Sequence, residues 1–485
     1  MTRASMLGTT IIALAVMAAP AARAQVTPDQ AKALETQIRN WVTGLIGPEI
    51  KLSGVPFHIL PDGDHYRLEA PIAGGLAPGV SVNAAPVTAA IRKLDGNRWA
   101  IDNLLVPSPF TAKVTGKKPE LNSAFSLKID GQEMHAVFDP TLATSSTSDG
   151  KVSGVTEILN TRQGNQTVTI ARATMHSVLT PADGKGMTLQ SESTAEGYAS
   201  SHSPRTGVPT TISVDRLHTS LTARQVNFAK LGEALHTATS LGVLNENRSP
   251  AARALARQLV LAMADLMDRM DAEETADGVH LDVADHSGSA KKFSLNAGFG
   301  APGGKAEFHM KLAIDGPDSP EIPPGPFRDY LPTHIALSPR ISGVPKATLV
   351  KLLLEVIDAG GTKKQNPNEM EAELLKNGPL ELGMDDLALD MGPAMLTGNG
   401  AMDVASATDV SGQAEIHMTG LDTLIRKVNA TPELRQAAPV LIFLKGIGEQ
   451  NGKDTVWNVK YANDKLTVND TDMSSMMPHT KTENP

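Results

Sequence analysis

The stretch Lys305–Ile314, KAEFHMKLAI, decides the fold class because apolar residues occupy every second position. These apolar residues are Ala306, Phe308, Met310, Leu312 and Ile314. Successive side chains of a β-strand point to opposite faces, so the alternation predicts a strand with one apolar face and one polar face. The same two-residue period recurs in much of the chain.

On the N-terminal side, this period extends from about Lys51 to Arg224, most clearly in Tyr66–Ile72 and Phe125–Ile129. Asp-Gly steps, which favour tight hairpin turns, interrupt these runs. The steps begin at Asp62, Asp95, Asp130, Asp149 and Asp183. Residues 49–225 are therefore predicted to form an antiparallel meander, in which consecutive strands build a large curved sheet.

A period of three to four residues predicts helices at the start and in the second half. Thr27-Pro28 is a typical helix start, and it predicts an amphipathic helix within residues 25–48 that Leu34 and Ile38 anchor and Gly47-Pro48 ends. Three pairs of helices are predicted further on, each followed by strands. The pairs begin near Phe228 and Ser249, near Lys346 and Asn366, and near Asp422 and Thr431.

The predicted fold class is α+β, a large curved antiparallel β-sheet with helix pairs packed on it or capping it. Residues 226–471 are predicted as αα-β modules that continue the sheet or pack on it, with a boundary near residue 226. The module starts are unequally spaced, which leaves open whether the modules are true repeats. Residues 472–485 are polar and aperiodic, and we expect a flexible tail there.

The first helix pair carries two apolar stripes. Phe228, Leu231 and Leu235 recur on one side of its first helix. The methionines Met263, Met267 and Met270 lie on its second helix, which is predicted to extend to about residue 270, and are predicted to fill the core. The alternative for these flexible side chains is an adaptable apolar contact surface.

The first 24 residues have the features of a secretory signal. Arg3 precedes an uncharged apolar stretch, and Ala22-Arg23-Ala24 forms a small-residue cleavage box before Gln25. The apolar stretch is about 13 residues long, whereas a membrane-spanning helix needs about 20. We therefore favour cleavage after Ala24 over retention as an anchor, and we expect a periplasmic protein that is not integral to the membrane.

Composition excludes several classes of function. The chain has 485 residues, 41% of them apolar, and 44 basic against 53 acidic residues give a formal net charge of −9. A chain of this length and apolar content can form a packed core. Its negative charge disfavours nucleic acid and anionic membrane surfaces as long-range partners. The sequence contains no cysteine, which excludes disulfides, thiolate nucleophiles and cysteine-rich metal sites.

The C-terminal portion resembles uncharacterised exported bacterial proteins of the YdgA-like and AsmA-like type. The resemblance lies in Gly420–Leu424, in the helix pair after it, in Trp457–Tyr461 and in Leu466–Asp470. It implies a β-rich envelope protein, often with a curved sheet and an apolar inner surface, linked in some members to lipid handling. It covers roughly the last 70 residues and assigns no functional residue. The cleaved signal departs from the membrane-tethered members.

Two short motifs match catalytic or nucleotide-binding patterns, but their context argues against both. Gly298–Gly303 matches the dinucleotide fingerprint, yet a strand follows it instead of a helix, so a glycine-rich hairpin is predicted. Ser289–Lys292 matches the Ser-x-x-Lys pattern but lacks its companion motifs, which favours a polar turn. No cofactor is expected.

The best candidates for a metal site, although no metal is expected, are His280, Asp282, Asp285 and His286. On a strand, His280 and Asp282 share a face whereas Asp285 points away, so the four converge only if the chain turns between them. A second group consists of His58, Asp62, Asp64 and His65. Asp62-Gly63 predicts a hairpin tip there, which is the simpler interpretation.

Adjacent acidic residues at Asp385-Asp386 suggest paired catalytic carboxylates, but neighbours on a strand face opposite ways. The apolar positions Leu382 and Met384 have one parity, whereas Leu387 and Leu389 have the other. A one-residue slip at the acidic pair explains this change, so a β-bulge is predicted.

The sequence therefore favours a non-enzymatic periplasmic protein that binds a hydrophobic ligand such as a lipid, or another envelope component, in a groove of the sheet. Two alternatives stay open. One is a periplasmic hydrolase whose active site is assembled from residues distant in sequence, including His280 and His286. The other is a structural assembly partner in the envelope, which predicts an exposed apolar patch.

Overall fold

The structure is a computed structural model, and it describes residues 26–476 apart from short stretches. These stretches are 47–57, 72–73, 78–79, 96–97, 116–121, 140–141, 143, 183–185, 244–248, 323–324, 326–327, 360–366, 377 and 407. The predicted signal at 1–24, the helix stop at Gly47-Pro48 and the turn at Asp183 lie outside the described residues.

The chain divides into two compact units. The first comprises Met1–His286 with Ile357–Gly360, and the second comprises Ser287–Val356 with Gly361–Pro485. The division falls at His286 and not near residue 226, because the strands on either side of the first helix pair are direct neighbours in one sheet. Antiparallel pairing dominates both units, so the sheet-rich α+β prediction is confirmed.

The first unit begins with helix α1 (Pro28–Ile46) and short strands. The strands are β1 (His58–Asp62), β2 (His65–Ala70), β3 (Gly74–Ala77), β4 (Val80–Ala84), β5 (Val87–Lys93), β6 (Trp99–Leu105), β7 (Phe110–Val114), β8 (Ser123–Lys128) and β9 (Gly131–Asp139). Asp62 pairs with His65, which confirms the predicted hairpin tip. Leu34 and Ile38 of α1 are buried in one hydrophobic cluster with strand residues such as Ile91, so the predicted apolar stripe is confirmed.

The short strands form two series of antiparallel pairs that meet at β10 (Thr144–Thr161). One series is β1-β2-β5-β6-β9, and the other is β3-β4-β7-β8. Since β9 pairs with the first half of β10 and β8 with its second half, β8 and β9 lie end to end along β10. The hairpin predicted at Asp130 is therefore wrong: the Asp130 amide donates to Ser153 O at 3.0 Å. Asp149 is not in a turn either, because it lies within β10.

Long strands complete the first unit. They are β10, β11 (Gly164–Pro181), β12 (Met187–Pro204), β13 (Thr210–Val226) and β14 (Arg269–Val283), paired antiparallel in chain order.

Gly154, Gly197 and Gly278 lie on one transverse line and have φ of 58°, 62° and 63°. On β14, the apolar residues before this line, Ala272 and Ala276, have even numbers. The apolar residues after it, Val279, Leu281 and Val283, have odd numbers. A left-handed glycine accommodates such a restart of the two-residue alternation.

The first helix pair, α2 (Phe228–Val243) and α3 (Pro250–Ala264), lies between β13 and β14 in the chain. Ser249 caps α3, because its side chain accepts a hydrogen bond from the Ala252 amide at 3.1 Å. The predicted core position of Met263 is wrong, since it is 53% exposed, and Leu235 on the apolar side of α2 is 46% exposed as well. Small residues at other positions of the two helices are buried instead: Ala234, Thr237, Ser240, Ala252 and Ala262. Met270 lies on β14 and is also exposed.

The second unit is a meander with two inserted helix pairs. Its strands are β15 (His286–Gly300), β16 (Lys305–Asp315), β17 (His334–Pro345), β18 (Leu380–Asp390), β19 (Met395–Val404), β20 (Val410–Thr419), β21 (Glu449–Asn451), β22 (Asp454–Ala462), β23 (Lys465–Val468) and β24 (Thr471–Asp472). Strands β15 to β20 pair in chain order, and β22 lies beside β20. Gly298–Gly303 spans the end of β15 and the start of the hairpin connection to β16, as predicted, whereas Ser289 lies within β15 and not in a turn.

Helices α4 (Lys346–Asp358) and α5 (Pro367–Leu375) follow β17, and α6 (Leu421–Ala430) and α7 (Ala438–Ile447) follow β20. Because β17 and β20 run in opposite directions, the two helix pairs lie at opposite ends of the strands. Beyond β24, the Met473 amide donates to Leu466 O at 2.8 Å, and the Leu466 amide donates to Ser474 Oγ at 3.1 Å. The residues directly after 472, predicted as tail, are thus bonded to β23.

Candidate functional site

The second unit has a two-faced sheet whose apolar face ends in a partly exposed row. Residues directly opposite each other in an antiparallel pair share a face. The cross-strand register aligns Phe299, Phe308, Ile341, Leu382 and Met402, one from each of five adjacent strands. We call these five residues the apolar row. These strands confirm the two-residue alternation predicted at Lys305–Ile314. Their apolar face, however, is not buried along its whole length.

Large side chains in the apolar row are accessible to solvent. The exposed fractions are 51% for Phe299, 40% for Phe308, 44% for Ile341 and 37% for Met402. Isolated exposed apolar residues are ordinary on protein surfaces, but a contiguous series is a recognised sign of a binding surface. The row lies at the end of the strands from which α4 continues.

The bulge at Asp385–Asp386 keeps the apolar residues of β18 on this face. Pro339 pairs with Met384 and Leu337 pairs with Leu387, so both acidic residues lie opposite Ser338. The pairing of β18 with β19 shifts at the same place. The predicted β-bulge is therefore confirmed. Without it, every apolar side chain after Met384 would turn to the polar face.

Ion pairs hold the bulge on the polar face. Arg340 donates to Asp385 Oδ1 at 3.3 Å and to Glu381 Oε1 at 2.6 Å, and Lys311 Nζ lies 3.3 Å from Asp386 Oδ2. The hydrogen bond from Arg340 holds the pKa of Glu381 below its usual value, despite partial burial, and Glu381 in turn raises the pKa of Arg340. The two aspartates are thus counter-ions of Arg340 and Lys311.

The polar face of the second unit contains an open depression of about 420 Å³. Its lining includes Arg340, Asp385, Asn399, Glu415, Asn458 and Lys460. Charges of both signs are mixed here, and the depression lies on the face opposite the apolar row. It suits water and ions better than an acyl chain.

At the other end of the same apolar face, the last helix pair shares a hydrophobic cluster with the strands. Leu421 and Leu424 of α6 and Ala438 of α7 are buried with Met418 and Trp457. The apolar face thus runs from a covered end to the exposed apolar row.

The first unit carries a different arrangement, an alternating series of imidazoles and carboxylates. The register aligns Asp102, His135, Asp149, His176 and Glu192 across five adjacent strands. We call these residues the histidine row. His135 Nδ1 lies 3.1 Å from Asp102 Oδ1, its Nε2 lies 3.1 Å from Glu133 Oε1, and His176 Nδ1 lies 2.7 Å from Asp149 Oδ1.

Electrostatics at His135 favours its protonated form. The hydrogen bonds with Asp102 and then with Glu133 raise the pKa of His135. Burial alone would raise the pKa of Asp102, but hydrogen bonds from Arg92 and His135 outweigh it, so this pKa lies below its usual value. In these hydrogen bonds His135 contacts two carboxylates, and this arrangement favours the imidazolium form.

The histidine row borders an open depression of about 440 Å³ that also includes Lys151 and His218. Sequence reasoning missed this row, since each member comes from a different strand and only the cross-strand register aligns them. The turn predicted at Asp149 also pointed away from the row, because Asp149 lies within β10.

The four residues predicted as the best metal candidates do not gather. His280 pairs with Ser213 and Asp282 with Thr211 on β14, whereas Asp285 is in the following turn and His286 begins β15. All four are exposed. Within the part of the chain that the structure describes, no group of three or more His, Asp or Glu side chains is arranged to hold a metal ion.

Two observations place these surfaces in context. Among the described helices, none has both the length and the apolar character required to cross a bilayer. Comparison of the chain with protein-family models, with curated proteins and with solved structures finds no match. The resemblance of the C-terminal portion to YdgA-like and AsmA-like proteins therefore stays a prediction.

Proposed function

We propose that this is a non-enzymatic, periplasmic protein that binds a hydrophobic ligand, such as a lipid, on the apolar row of its second unit. The observation that carries the proposal is the alignment of Phe299, Phe308 and Ile341 on three adjacent strands, each at least 40% exposed. In this proposal the signal directs export, the sheet is curved around the ligand, and the helix pairs cap it.

Energetics support an acyl chain as the ligand. Burial of each methylene contributes about 0.8 kcal/mol, so ten methylenes contribute roughly 8 kcal/mol before the entropic cost of binding. Strands lie about 4.8 Å apart, and the five strands of the apolar row therefore extend over roughly 19 Å between the outer two. A surface of this kind needs no catalytic or charged motif, which agrees with the sparse motifs in the sequence.

Binding of a fluorescent fatty acid to the full chain tests the proposal, together with mass spectrometry of an organic extract of the purified protein. Phe308→Gln should weaken binding by roughly tenfold or more, because it removes one large apolar contact. Glu307→Gln introduces the same side chain at the neighbouring position on the polar face and should leave binding unchanged. Equal losses in both variants, or no binding by the wild-type chain and no extracted lipid, would refute the proposal.

A further inference from the structure

Helix α7 is apolar on the side that faces solvent as well as on the side that faces the protein. Its exposed residues are Val440 at 60%, Ile442 at 53%, Phe443 at 44% and Leu444 at 37%. Ala438, by contrast, is 3% exposed and belongs to the cluster with Trp457. A surface helix ordinarily turns polar residues to water, so this exposed apolar side is unusual.

Side chains of β22 and of the turn after β23 fix the end of α7 in this position. Trp457 Nε1 donates to Leu444 O at 2.8 Å, and Asn469 Nδ2 donates to Ile447 O at 3.0 Å. These carbonyls belong to the last turn, where a helix has no backbone donors of its own. Lys445 also forms an ion pair with Asp422 of α6. The exposed apolar side is therefore presented by a fixed helix, with little ordering cost on binding.

The helix pair is basic although the chain as a whole is acidic. Between Gly420 and Gly448 there are four basic and two acidic residues, whereas the formal charge of the chain is −9. The basic residues are Arg426, Lys427, Arg435 and Lys445, and the acidic residues are Asp422 and Glu433. Arg426, Lys427 and Arg435 are exposed. The local charge thus complements an anionic surface even though the net charge does not.

We infer that α7 lies in the interface of an anionic lipid bilayer, with Val440, Phe443 and Leu444 among the headgroups and the flanking basic residues against lipid phosphates. Helices that lie in this interface combine an exposed apolar side with Lys and Arg nearby. A transient protein interface is more polar than this side of α7. The inference goes beyond the proposed function, because it concerns where the protein docks and not what it carries.

Flotation of the full chain with vesicles tests the inference. Vesicles of phosphatidylcholine with added phosphatidylglycerol should carry the protein, and vesicles of phosphatidylcholine alone should carry less. Phe443→Asp should reduce partitioning roughly tenfold or more, because a carboxylate replaces a side chain inserted among the lipids. The double variant Arg426→Gln and Lys427→Gln should weaken binding only to the anionic vesicles. The loss should be smaller at high salt, because salt screens the charges.

Leu353→Asp is the matched control, because Leu353 is 53% exposed on α4, at the opposite end of the strands. It should partition like the wild-type chain. The inference fails if wild type does not float, if Leu353→Asp loses as much as Phe443→Asp, or if Phe443→Asp abolishes only self-association. Phe443→Asp should retain the fatty-acid binding that Phe308→Gln loses, and Phe308→Gln should still float, so the two proposals can fail separately.

Discussion

Gly278 packs so closely against Asp215 that a β-carbon on the glycine would overlap the aspartate carboxylate. The glycine has a φ of 63°, which an L-residue rarely adopts. Gly154 on β10 has the same relation to Asp130, and Gly197 on β12 lies against Ala171. The transverse glycine line is therefore fixed by backbone conformation and by close packing together.

We predict that Gly278→Ala lowers the free energy of unfolding by roughly 2–4 kcal/mol, through strain at positive φ plus the overlap with Asp215. Urea denaturation followed by circular dichroism measures it. Gly303→Ala is the control, because Gly303 has a φ of 64° with no atom within 4 Å of the added carbon. It should cost only about 1 kcal/mol. Equal costs would show that packing against Asp215 is unimportant.

Insertion of one alanine after Asp386 should shift the two-residue alternation beyond the bulge by one position and turn Leu387 and Leu389 to the polar face. Loss of apolar burial at two leucines should destabilise the second unit by at least about 3 kcal/mol. Asp386→Ala keeps the register and removes only an ion pair whose aspartate side chain is 43% exposed, so it should cost less than about 1 kcal/mol. An insertion as mild as the substitution would contradict this role for the bulge.

Strand parity made much of the second unit predictable. The alternation at Lys305–Ile314 predicted a strand, and the parity change at Asp385-Asp386 predicted the bulge, because both are local consequences of side-chain direction. Asp-Gly steps were less informative, since the dipeptide makes a hairpin only where the strands on either side are neighbours. Asp62 meets this condition, whereas Asp130 and Asp149 do not.

Burial and the candidate sites needed the structure. The amphipathic period of α2 and α3 indicated helices correctly, but small residues such as Ala234 and Ala262 make the close contacts and leave Met263 exposed. The histidine row depends on register across five strands, which sequence periodicity does not determine. The same holds for the apolar row, whose members are more than 100 residues apart from first to last.

His135 should make stability depend on pH. Its pKa is raised in the folded state, so its contribution is fully present below the unfolded value of about 6.5 and is lost as pH rises through the folded value. His135→Gln should therefore lower stability at about pH 6 more than at about pH 8.5. The difference should be below about 1 kcal/mol, because water screens a side chain that is 41% exposed.

Denaturant titrations of both proteins at the two pH values measure this difference, and a histidine NMR titration measures the pKa of His135 directly. His280→Gln is a suitable control, because His280 lies on β14 outside the histidine row. A His135 pKa at or below 6.5, or a larger effect of His135→Gln at the higher pH, would contradict the prediction.

Trp457→Phe should destabilise the second unit and loosen α7. The substitution removes the hydrogen bond from Trp457 Nε1 to Leu444 O, which is worth about 1 kcal/mol, and shortens a buried ring.

Trp99 offers a matched control in the first unit: it is 4% exposed, and its Nε1 is buried without a hydrogen-bond partner in the described residues. Trp99→Phe therefore shortens a buried ring without loss of such a bond. Trp457→Phe should cost about 1 kcal/mol more in urea denaturation. It should also increase amide exchange at Gly448, whose amide bonds to Lys445 O at the end of α7. Equal costs with unchanged exchange would show that Trp457 does not hold the helix.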